Sequence, residues 1–71
     1  METIAADEAL RIARLDAEPV YRDLSPFMVI ICREPDGWHV DYEIKEPHVQ
    51  GGGPHYVIDL TGRILQKRYE Q

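Results

Sequence analysis

The chain has 71 residues, room for one domain, which excludes a two-domain enzyme, a doubly wound dinucleotide fold and an eight-stranded barrel. Hydrophobic residues make up 44% and charged residues 30% of it, the balance of a soluble globular domain and not of a disordered chain. Thirteen acidic against eight basic side chains leave a net charge of −5, so a nucleic-acid partner is not expected, whereas solubility and a faster encounter with a basic protein are.

The N-terminus carries Glu2, Asp7 and Glu8 where a signal peptide carries base, so no export signal is read and a cytoplasmic location is expected. Thr3 is a candidate cap for a helix over about 3–18, rich in Ala, Leu, Arg and Glu. Ala5, Ala9, Ile12, Ala13 and Ala17 fall on one stripe, and small alanines let a helix lie close on a sheet. Pro19 is expected to end or kink this helix, with a short turn or helix over 19–24 that brings Tyr21 and Leu24 to the core.

After Ser25-Pro26, the run Phe27 to Arg33 reads as a strand covered on both faces. Its apolar part is far short of the roughly 20 residues a membrane helix needs, so no membrane segment is expected. Cys32, the single cysteine, is expected to be a buried, inert thiol. Glu34-Pro35-Asp36-Gly37 reads as a tight turn. Residues 38–46 alternate strictly, with Trp38, Val40, Tyr42 and Ile44 on one face and His39, Asp41, Glu43 and Lys45 on the other. A loop ending in Gly51, Gly52 and Gly53 leads to a third strand over 54–60, and Thr61-Gly62 turns into a basic edge strand over 63–69.

Connections this short demand antiparallel pairing. Placing Val40 opposite Leu60 sets Tyr42 against Ile58, Ile44 against Tyr56 and Asp41 against Asp59, and gathers the apolar members under the helix. Met28, Ile30 and Cys32 then point the other way, beside Asp41, Glu43 and His55. That face is open to a partner, unless Pro19–Leu24 folds over it or a bulge inverts the parity. The Thr61-Gly62 turn leaves open whether Ile64 or Leu65 faces the core.

Catalytic chemistry finds little footing. Ser25 is the only serine and precedes a proline. Cys32 lacks an activating neighbour, and the paired acids Asp41 and Glu43 have no cleft around them. His39, Asp41, His55 and Asp59 do not converge as metal ligands must. The Gly51-Gly52-Gly53-Pro54 loop precedes a strand, where a phosphate loop precedes a helix. It reads instead as a turn with positive φ or a close backbone approach. No catalytic residue, metal or cofactor is assigned.

Three stretches carry a family resemblance: Asp36-Gly37-Trp38-His39-Val40-Asp41-Tyr42, Gly51 through Asp59, and Thr61-Gly62-Arg63-Ile64. Together with the Ala9-Leu10-Arg11-Ile12-Ala13 helix they resemble small bacterial immunity proteins of the nuclear-transport-factor-two-like fold. The pattern is also similar to peptidase-propeptide-like domains. The first resemblance implies binding and neutralisation of a cognate toxin, the second an inhibitory or accessory module, and both imply binding without turnover. The expected fold is α+β, an N-terminal helix on one face of a four-stranded antiparallel meander. The expected function is a non-enzymatic protein-binding module. Its surface comprises Met28, Ile30, Asp41, Glu43 and His55, with Gly51, Gly52 and Gly53 at the rim. A structural homodimer using the same face and a small metal-dependent enzyme are the alternatives.

Overall fold

A computed structural model describes residues 2–46 and 52–69. Helix α1 (Ala6–Tyr21) is followed by strands β1 (Phe27–Glu34), β2 (Gly37–Ile44), β3 (His55–Ile58) and β4 (Ile64–Arg68). The strands form one antiparallel meander in the order β1-β2-β3-β4, with the helix packed on one face. This is the α+β arrangement that the alternation and the short turns predict. Among the described residues no helix is long and apolar enough to cross a membrane.

The alanine stripe does what its size allows. Ala9, Ala13 and Ala17 are fully buried and let α1 settle onto Val40, Tyr42, Tyr56 and Ile58. Ile12, Leu24, Phe27, Ile31, Trp38 and Ile64 pack around this centre. Thr3 does not cap the helix: the N-cap is Ala5, and no side chain bonds there. The cause lies just before it. The Ile4 N–H donates to the Leu60 carbonyl at 2.9 Å and the Ile4 carbonyl accepts from Trp38 Nε1 at 3.1 Å, which holds the chain out of helical geometry until Ala5. The helix also runs past Pro19 to Tyr21. In the last turn a proline deletes one helical hydrogen bond, and the carbonyl it strands belongs to exposed Leu15, within reach of water. Arg22, at φ 66°, ends the helix with its N–H donating to the Glu18 carbonyl.

Two turns set the meander. Glu34 pairs with Gly37 around Pro35-Asp36. Gly37 adopts φ 139°, and a Cβ there would lie 2.2 Å from the Ile58 carbonyl oxygen, so β3 can close on the turn only over a glycine. At the second hairpin the Asp59 N–H donates to the Arg63 carbonyl and the Gly62 N–H to the Asp59 carbonyl, a three-residue loop with Gly62 at φ 95°. The Asp59 carboxylate also accepts from the Thr61 hydroxyl and from the Thr61 and Arg63 amides, which holds its pKa below the usual range. Ile58 pairs with Ile64 and Val57 with Gln66, leaving Leu65 as an exposed bulge residue. Ile64 is therefore the residue that joins the core.

The β2–β3 register differs from the expected one. Val40 pairs with Tyr56, not Leu60, and Asp41 pairs with His55, not Asp59. The strand has slipped by four residues. An even slip keeps every side chain on its face, so alternation alone does not choose between the two registers. Backbone closeness chooses: Gly37 lies against Ile58, and Gly53 lies against Tyr42. The first strand is likewise not covered on both faces. It is a sheet edge, exposed at most of its positions.

Candidate functional site

The face opposite α1 is built by the alternate residues of the same strands. Cross-strand pairing places Met28 beside Glu43, Ile30 beside Asp41, Asp41 beside His55, and His55 beside Arg68. A second row runs Cys32, His39, Val57, Gln66. Residues 19–24 do not fold over this face, because Pro19 continues α1 on the other side. Met28 is 47% exposed and Ile30 45%. Cys32 is exposed too, contrary to the buried thiol expected of an apolar strand; its strand is an edge whose even-numbered side has no cover among the described residues.

Electrostatic order accompanies this exposure. His55 Nδ1 lies 2.6 Å from Asp41 Oδ1, a pair that exists only because of the observed register. His39 Nε2 lies 2.7 Å from Asp36 Oδ1 at the hairpin tip, and that bond draws the Asp36 pKa down. An open groove of about 440 Å³ runs over this part of the sheet, lined among others by His39, Asp41, His55, Val57, Gln66 and Arg68. Among the described residues no group of three His, Cys, Asp or Glu side chains is placed to hold a metal ion. The face thus offers an apolar strip on β1 and β2 acids beside it, with imidazoles and a guanidinium toward β4. It can bury apolar atoms and form ion pairs, the chemistry of protein recognition.

Met28, Ile30, Asp41, Glu43 and His55, singled out from the sequence, therefore share one surface. Gly53 does not join it. It is buried on the helix side, its N–H donating to the Tyr42 carbonyl at 3.1 Å, and a Cβ there would lie 2.7 Å from Tyr42 Cβ and 3.0 Å from Phe27 Cδ1. Its role is close backbone approach; among the described residues the positive-φ glycines are Gly37 and Gly62. Gly52 is half-buried beside it, and Gly51 lies outside the described residues.

A polar cluster unforeseen in the sequence ties the covered face together. Asp16 accepts from the Tyr56 hydroxyl at 3.0 Å, from Lys67 Nζ at 3.2 Å and from the Tyr69 hydroxyl, joining α1 to β3, to β4 and to the residue after it. Burial works against its charge, but these donors outweigh it and hold the carboxyl below its ordinary range. Burial and the Asp16 bond together push the Tyr56 hydroxyl far upward. The available signal was spacing: Asp16 directly precedes Ala17 and borders the alanine stripe, an unusual place for a carboxylate without partners. Comparison with protein-family models, with curated proteins and with solved structures returns no match to this chain.

Proposed function

We propose that this chain is a non-enzymatic protein-binding module that docks through the sheet face opposite α1. The supporting observation is the exposure of Met28 and Ile30 beside Asp41 and Glu43. Apolar side chains left half exposed next to acids add less to monomer stability than buried ones and match the dry centre and charged rim of a recognition surface. The partner this chemistry fits is a protein with a basic, partly apolar face, reached with the help of the net charge of −5. The more specific form of the reading is an immunity-type inhibitor, acting in the cytoplasm, that neutralises a cognate toxin by occluding it. The support for that form is the resemblance carried by the Trp38 strand, the glycine loop and the Thr61-Gly62 turn.

The test is co-expression with the product of the adjacent reading frame, followed by affinity capture. Wild type is expected to capture that product and to relieve any growth arrest it causes. Met28→Asp, in the dry centre, is expected to weaken the complex by about 2 kcal/mol or more, and Asp41→Lys to slow association. Wild-type capture by both folded variants would remove this face from the interaction.

A further inference from the structure

The two edges of the sheet are not alike. The β4 edge carries a bulge at Leu65 and the cations Lys67 and Arg68, devices that discourage another strand from pairing there. The β1 edge carries none. Between Phe27 and Cys32 it has no charge, no proline and no bulge, and Met28, Val29 and Ile30 are all exposed, on both sides of the sheet.

The backbone of this edge is also partly unpaired. The Lys45 N–H donates to the Pro26 carbonyl, so the even-numbered residues of β1 are those that exchange hydrogen bonds with β2. Val29, Ile31 and Arg33 consequently aim their N–H and carbonyl groups outward, and among the described residues those groups have no partner. The Phe27 amide, next in the same series, is already taken by the Leu24 carbonyl.

We propose that β1 of one copy pairs antiparallel with β1 of a second copy about a two-fold axis at Ile31, joining two sheets into one. The free groups occur at Val29, Ile31 and Arg33, a series symmetric about its middle member. A two-fold axis sets Ile31 against the partner's Ile31 and Val29 against the partner's Arg33, and every outward donor meets an outward acceptor. On the bare face Ile30 then lies beside the partner's Cys32, so the two apolar strips merge across the axis. Arg33 and Glu34 sit at one end of the strand, and the antiparallel arrangement carries the like charges of the two copies to opposite ends. The core also favours a second copy: among the described residues its largest fully buried side chains are Tyr56, Ile58, Val40 and Pro54, and a core this small gains from association. Edge pairing buries little area, which places the dimer among weak associations. With −5 on each chain, added salt strengthens it. This pairing does not depend on the partner-binding role of the sheet face.

The test combines sedimentation equilibrium with amide hydrogen exchange across a protein dilution series. The expected mass rises with concentration from 8.2 kDa toward twice that value. The Val29, Ile31 and Arg33 amides are expected to gain protection in parallel, while the Met28, Ile30 and Cys32 amides, bonded to β2, stay protected throughout. Val29→Lys sets a cation against the partner's Arg33 on both sides of the axis and is expected to weaken the dimer roughly tenfold. Val29→Lys combined with Arg33→Glu is expected to restore it. A single-copy mass at every concentration would overturn the proposal. So would a dimer in which those three amides exchange freely, or their protection only when a different protein is added. The exchange measurement on wild type decides the matter even where Val29→Lys fails to fold.

Discussion

On strands β1 and β2, stepping one residue along the chain moves from one sheet face to the other, and the two faces have different fates. On one face Val40 and Tyr42 lie under α1 with Tyr56 and Ile58, closed by three alanines and tied by Asp16. On the other, Met28 and Ile30 stand in water beside Asp41, Glu43 and the Asp41–His55 pair. One helix can cover one face, so the first face is explained by folding alone. The second is not: a polar residue at Met28 or Ile30 would serve an uncovered position as well. The difference teaches that core formation does not account for all the apolar character of this small chain, and docking is the cause we propose for the remainder.

Substitutions can break each face separately. The largest loss is expected at the turn that presses β2 against β3. Gly37→Ala puts a methyl 2.2 Å from the Ile58 oxygen and 2.8 Å from Asp59 Cα at φ 139°, so urea unfolding should show a loss of about 3 kcal/mol or more. Ile58→Ala, at a fully buried position, should cost about 2–4 kcal/mol through lost burial and the cavity left behind.

Asp16→Asn comes next. It weakens the acceptor of three donors at a side chain only 23% exposed, and a loss of about 1–2 kcal/mol at neutral pH is expected. Its signature is pH dependence. Because the folded carboxyl is held below the ordinary value of 3.8, its stabilisation is fully present above that value and disappears as pH falls through the lower folded value. The variant should therefore lose less stability than wild type across that acid window in urea titrations. On the bare face, Met28→Asp replaces a half-exposed side chain by a carboxylate opposite Glu43 and should cost the monomer only about 1 kcal/mol, measured at concentrations where copies do not associate. Its effect should appear in partner capture.

Much of the covered face was legible because two periodicities agreed. The i, i+4 alanines mark the helix stripe, and the alternation from Trp38 to Ile44 marks the strand beneath it. Exposure of Met28 and Ile30 followed from parity, because the one predicted helix lies on the opposite face. What was not legible has physical reasons. Register is degenerate under even slips, so the Asp41–His55 pair could not be read until Gly37 and Gly53 were seen against β3 and β2. Pro19 acts differently one turn from a helix end than in a helix middle. Cys32 looked buried because an apolar run does not reveal whether its strand is central or at an edge. Asp16 takes its importance from Tyr56, Lys67 and Tyr69, all 40 or more positions away.

The most direct measurement is a calorimetric titration of the partner captured by wild type into the Met28→Asp, Ile30→Asp double variant. Two buried carboxylates at the dry centre should abolish detectable binding in a chain that still folds. A dissociation constant equal to that of wild type would contradict the assignment of this face to docking.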